Sequence, residues 1–158
     1  MSVFRIFLVF TLLITNSFAQ DLLKERIRKI ASSKTAVYID KGIFHNGNVK
    51  VDAELKSIRQ SYNAKDGYER IVFDFAGGSI PKIYGHFSSQ EKRLAIDLFG
   101  TNLAKEFSPV GKTKFIEKIH FFPIEKDHVS VEIRMNNAAN VDVFYLENPG
   151  RIVFDFKK

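Results

Sequence analysis

From residue 49 the chain alternates: Val49, Val51, Ala53 and Leu55 are apolar, while Lys50, Asp52, Glu54 and Lys56 between them are charged. A two-residue period of this kind predicts a strand over Asn48–Lys56 with one face toward a core and one toward water. At Ile58 the apolar positions move from odd to even numbers, which predicts a bulge or a new strand there. Upstream, TAVYI (Thr35–Ile39) reads as a strand and Asn46-Gly47 as a turn pair. Downstream, strand-like runs are punctuated by Lys65-Asp66-Gly67, Gly77-Gly78, Ser88-Ser89-Gln90, Gly100 and Asn148-Pro149-Gly150. One helical period precedes all of this: in DLLKERIRKIAS (Asp21–Ser32) Leu23, Ile27 and Ile30 share a face, and Asp21 can cap the start. The prediction is an all-β domain, a two-sheet β-sandwich, with one short N-terminal helix.

One hexamer recurs. RIVFDF occupies Arg70–Phe75 and again Arg151–Phe156, and a looser copy, RLAIDL, lies at Arg93–Leu98. Shifting the chain by 58 positions, the offset from Arg93 to Arg151, places Ile71, Phe73 and Phe75 on Val129, Val131 and Ile133, Ile83 on Val141, and Ile58 on Ile116. The sandwich is therefore expected to be built from a duplicated multi-strand unit, because such a unit cannot bury its apolar face alone and gains most by closing on its twin. Within the copies, Ile71, Phe73, Phe75, Leu94, Ile96, Leu98, Ile152, Phe154 and Phe156 share the core phase. Burying each contributes ~1.5–3 kcal/mol.

The opposite phase carries the polar letters. Arg70, Asp74, Arg93, Asp97, Arg151 and Asp155 should point away from the core. A cross-strand charge pattern that fixes register is the structural reading of these six. The functional reading is a polar face whose arginines hold carboxylates and whose aspartates accept sugar hydroxyls. Among the aromatic residues, Tyr84, His86, Phe121, Phe122 and Tyr145 sit where alternation can turn some outward. Phe121 and Phe122 are adjacent, so one of them must face away from the other. That pair is the best local candidate for an exposed aromatic contact.

Composition narrows the setting. Met1–Arg5 is a short basic start, Ile6–Thr15 an apolar run and Ser17-Phe18-Ala19 a small-x-small ending, so residues 1–19 read as a signal peptide, with a retained anchor as the alternative. The apolar run falls short of the roughly 20 residues that span a bilayer, and no later segment approaches that length. The mature protein is expected to be exported, without a transmembrane segment. Residues 20–48 then hold the helix and a lead-in strand, and residues 49–158 the sandwich. The 158 residues contain no cysteine, which excludes disulfides, thiolate metal sites and cysteine nucleophiles. The net charge of +6 is spread along the chain. It favours an anionic polymer or surface, and export argues against nucleic acid.

At this point IVFDFAG (Ile71–Gly77), RLAIDLFG (Arg93–Gly100), VSVEIRMNNAANVDVFYLENPGRIVFDF (Val129–Phe156) and the duplicated layout resemble the AMIN domain, a module found beside the catalytic domains of bacterial cell-wall amidases and in type IV pilus secretins. The likeness covers roughly Val49–Phe156. It implies a non-catalytic cell-envelope module of the Gram-negative periplasm that binds peptidoglycan and localises or assembles envelope machinery. The protein partner it implies is a cell-wall amidase or a pilus secretin component. The alternative is a protein-interaction subunit or assembly factor of a type IV pilus or secretion channel. No amidase or secretin sequence follows within these residues, so an adaptor, wall-binding protein or complex subunit is expected.

Catalytic, metal and cofactor sites are not expected. His45, His86, His120 and His128 form no HExxH or tight His-x-His motif. No nucleophile elbow or phosphate-cradling loop is present. Any glycosidase-like carboxylate pair chosen from the 18 acidic residues would be arbitrary.

Overall fold

The computed structural model describes residues 34–36, for which only the backbone is considered, together with 42–108 and 111–158. The expected signal peptide, the Asp21–Ser32 helix and most of the Thr35–Ile39 strand lie outside the described residues. Eleven strands follow in chain order: β1 (Lys34–Ala36), β2 (Ile43–His45), β3 (Ala53–Asn63), β4 (Tyr68–Phe75), β5 (Lys82–Ser88), β6 (Arg93–Phe99), β7 (Thr101–Leu103), β8 (Ile116–Glu125), β9 (His128–Met135), β10 (Asn140–Leu146) and β11 (Arg151–Lys157). No helix occurs among the described residues. The described residues are all-β, as expected for them.

The strands form two sheets, one ordered β1-β10-β11-β4-β3-β7 and the other β2-β5-β6-β9-β8. Their inner faces share one hydrophobic core, a sandwich-like arrangement. All nine residues assigned to the core from the hexamer copies lie in it, each no more than 3% exposed. The edge strands β1 and β2 belong to these sheets, and the compact unit runs from Thr35 to Lys158.

The two expectations for the residue-49 stretch fare differently. Its strand begins only at Ala53, and Val49 is 81% exposed. The reason is local: the extended run before it makes no ladder, and Val51 instead lies against Gly100, at φ 72°, where an added Cβ would come within 3.0 Å of the Val51 carbonyl carbon. The shift of phase at Ile58 does mark a bulge, between Leu55 and Ser57.

The same pairing pattern is built twice. The β3-β4 hairpin carries its bulge where Leu55 and Ser57 face Phe75 and Asp74. The β8-β9 hairpin carries its bulge where Ile116 and Lys118 face Met135 and Arg134. In the β5-β6 hairpin Ile83 faces Leu98, and in the β10-β11 hairpin Val141 faces Phe156. The uniform shift of 58 thus fits the second hairpin of each half, but in the first it is displaced: Phe75 matches Met135 rather than Ile133, and Leu55 matches Ile116. The slip is two residues at Phe75, which preserves the face each side chain takes and so escapes alternation, and three at Leu55. Each sheet combines the first hairpin of one half with the second hairpin of the other, joined through β4-β11 in one sheet and β6-β9 in the other.

Candidate functional site

The outer face of the six-stranded sheet is closed on itself. Arg70 donates through Nε and Nη2 to the two oxygens of Asp155, both at 2.7 Å, and Arg59 holds Asp74 in the same way at 2.6 and 2.8 Å. These carboxylate hydrogen bonds raise the pKa of each arginine further above its ordinary value. The Arg70 guanidinium also lies over the Tyr68 and Phe144 rings, 5.3 Å from each centroid. Between the charges runs a row of buried apolar residues, Phe144, Val153 and Val72, directly opposed on β10, β11 and β4. Val72 and Val153 share the outward phase of the hexamer's charged residues, yet they are 8% and 2% exposed. This face is an ion-paired frame around an apolar strip.

The outer face of the five-stranded sheet is different. One row crosses all five strands, with His45, Tyr84, Asp97, Ser130 and Phe122 directly opposed in turn. Tyr84 is 43% and Phe122 46% exposed. Three interstrand steps separate them, ~14 Å across the sheet. Between them Ser130 donates to the Asp97 carboxylate, and His128 Nε2 lies 3.5 Å from Asp97 Oδ1. The His120 ring stacks on Phe122, with centroids 5.8 Å apart and planes within 2°. The neighbouring row holds Ile43, His86, Ala95, Glu132 and His120. All four histidines sit on this one face, with His128 stacked on Phe99 at 4.7 Å.

The six charged candidates are therefore not one site. Arg70, Asp74, Arg151 and Asp155 lie on the outer face of the six-stranded sheet, where Asp155↔Arg70 and Arg151↔Asp74 are cross-strand neighbours. Arg93 and Asp97 lie on the outer face of the other sheet. The division follows from the topology, because β4 and β11 share a sheet whereas β6, which carries the looser copy, pairs with β5 and β9. Of the aromatic pair, Phe121 turns inward against Phe73 and Phe107, and Phe122 turns outward. Tyr145 is buried, and burial pushes its hydroxyl pKa up.

Two features escaped the sequence reading. Glu69 is fully buried, and its Oε2 accepts the Phe115 backbone N–H at 2.7 Å, tying the segment before β8 to β4. It shares its odd phase with Ile71 and Phe73, and that parity was the available signal. The second is the gathering of the histidines on one face, which needed strand order rather than spacing. Among the described residues no group of three or more His, Asp and Glu is placed to hold a metal ion, and no helix is long and apolar enough to cross a membrane.

Compared with models of protein families, with curated proteins and with solved structures, the chain gives no match.

Proposed function

We propose that this chain is an AMIN-like, non-catalytic module of the bacterial cell envelope, a β-sandwich of duplicated halves that binds peptidoglycan through the outer face of its five-stranded sheet. The observation that carries this reading is the row Tyr84–Asp97–Ser130–Phe122. Exposed aromatic faces at its two ends can stack on the apolar faces of sugar rings, and the hydrogen-bonding pair between them can engage hydroxyl and acetamido groups. The ~14 Å span suits an extended oligosaccharide lying across the strands. The six-stranded sheet is the weaker candidate because two of its arginines, Arg59 and Arg70, already hold carboxylates bidentately. The net charge of +6 favours an acidic polymer such as the wall.

Co-sedimentation of the protein with purified sacculi tests the reading. The wild type should pellet with sacculi, and Tyr84→Ala with Phe122→Ala should abolish most of that binding. Arg59→Gln, on the other sheet, should leave it unchanged. Failure of the wild type to sediment refutes peptidoglycan binding. Loss of binding in Arg59→Gln with full binding in the double variant refutes the choice of face. Co-purification of a protein partner without sacculus binding would instead favour a pilus or secretion-channel subunit.

A further inference from the structure

The duplicated halves allow the outer faces of the two sheets to be matched residue by residue. Asp97 and Ser130, directly opposed on β6 and β9, stand where the six-stranded sheet has Asp155 and Arg70. In the next row His86, Ala95 and Glu132 stand where that sheet has Phe144, Val153 and Val72. Two of these differences bear on the glycan face.

The first frees a hydrogen-bond acceptor. Arg70 occupies both oxygens of Asp155, whereas Ser130 donates to Asp97 Oδ1 alone. His128 Nε2 lies 3.5 Å from that same oxygen. Oδ2 therefore has no hydrogen-bond partner among the described residues, and the Asp97 side chain is 38% exposed. The second difference opens a hollow beside it. Ala95 lacks the γ-methyl groups of Val153, and the longer side chains on either side of it are engaged elsewhere. His86 Nε2 lies toward Gly42, 3.7 Å from the position of an added Cβ there, and Glu132 is hydrogen-bonded to Arg134. Tyr84, directly opposite Asp97 on β5, flanks both positions one interstrand step away, ~4.8 Å.

We infer that Asp97 and Ala95 together read the acetamido group of the wall sugars, Asp97 Oδ2 accepting its N–H and the hollow over Ala95 receiving its methyl. The inference rests on the glycan-face reading and narrows its ligand to N-acetylated glycans. A pyranose ring stacked on Tyr84 carries its substituents over β6, the next strand. An N–H held by Asp97 lies ~2.9 Å from the carboxylate, and the acetamido methyl extends ~2.5 Å beyond the nitrogen. Together these cover most of the ~7 Å between residues 97 and 95 along the strand. A plain hydroxyl reaches the same oxygen, so the methyl in its hollow makes the distinction. One methyl in a fitted apolar site discriminates about tenfold or more.

The test is isothermal titration of the full chain with β-1,4-linked tetramers of N-acetylglucosamine, of glucose and of deacetylated glucosamine, with sacculus co-sedimentation run alongside. The N-acetylated oligomer should bind about tenfold more tightly than the glucose oligomer. Ala95→Val, which installs the residue of the twin sheet, should abolish that advantage and leave the affinity for the glucose oligomer unchanged. Asp97→Ala should weaken both. Equal affinity of the wild type for these two oligomers, or an equal effect of Ala95→Val on both, overturns the acetamido assignment and leaves the glycan face standing. An Asp97→Ala variant that binds both as the wild type does overturns it as well. Tightest binding of the deacetylated, cationic oligomer overturns it in favour of an amine site. Sacculus binding without binding of the N-acetylated oligomer also overturns it, whereas failure to bind sacculi or any oligomer refutes the glycan-face reading and this inference with it.

Discussion

Gly85 lies within β5, a position where glycine ordinarily weakens a strand. Phe44 on the short edge strand β2 is its direct cross-strand partner, and the Phe44 ring, 1% exposed, covers the glycine. An added Cβ at residue 85 would sit 2.6 Å from Phe44 Cε2 and closer still to Cζ. Carbon atoms rest ~3.5–4.0 Å apart, so the ring would have to retreat by more than about 1 Å into a close-packed interior. Overpacking of this size costs ~1–3 kcal/mol. Phe44→Ala alone should cost ~3–5 kcal/mol through lost burial and the cavity it leaves. The two changes should not add: with the ring gone, Gly85→Ala meets no clash and should cost less than about 0.5 kcal/mol, giving a coupling of ~1–3 kcal/mol. Urea unfolding of the wild type, both single variants and the double variant measures this cycle. Strict additivity would refute the idea that glycine is there to accept the ring. Because β2 also presents Ile43 and His45 on the outer face, Gly85→Ala should weaken sacculus binding as well.

Glu69→Ala should destabilise by ~2–4 kcal/mol, since it removes a carboxylate hydrogen bond and leaves the Phe115 N–H buried and unpaired, whereas Glu69→Gln keeps an acceptor and should cost less; the Phe115 amide exchange rate reports the local loosening. Asp155→Asn should cost ~1–2 kcal/mol by breaking the bidentate pair with Arg70, a value held down because that guanidinium is about a third exposed to solvent, and urea titration measures it. Glu132 is held below its ordinary carboxylate value, first by its hydrogen bond from Arg134 and then by the charges of Arg134 and Arg93. A lowered folded-state pKa means that its stabilising contribution is present above the unfolded-state value of about 4.5 and is lost as pH falls through the lower folded value. Glu132→Gln should therefore flatten the decline in stability below about pH 4.5 and leave the slope near neutrality unchanged, as read from urea midpoints across pH.

Alternation made the inside of this molecule legible and its surfaces much less so. The nine core residues of the hexamer copies, the break in phase at Ile58 and the opposite orientations of Phe121 and Phe122 all follow from a period of two, though not which of the two phenylalanines turns outward. The same period assigns Val72 and Val153 outward, correctly, but outward is not the same as wet: strand order sets them beside Phe144 in an apolar strip. Parity also cannot say which sheet a strand joins. Arg70 and Arg93 occupy the same letter of the same hexamer, yet they lie on different sheets because each half sends its two hairpins to different sheets. The opposition of Asp97 and Ser130, where the twin sheet has Asp155 and Arg70, joins strands far apart in sequence, and only the register reveals it. Val49 shows the opposite failure, a clean alternation without a neighbouring strand to pair with.

The absence of cysteine allows a direct readout of which face meets the wall. Single substitutions Ser130→Cys, in the centre of the aromatic row, and Ser61→Cys, on the outer face of the six-stranded sheet, can each be alkylated with a maleimide in the presence and absence of purified sacculi. Protection of the thiol at position 130 by sacculi, with the rate at position 61 unchanged, is the predicted result. Unchanged labelling at 130, or protection confined to 61, would contradict the assignment of the five-stranded sheet as the wall-binding face.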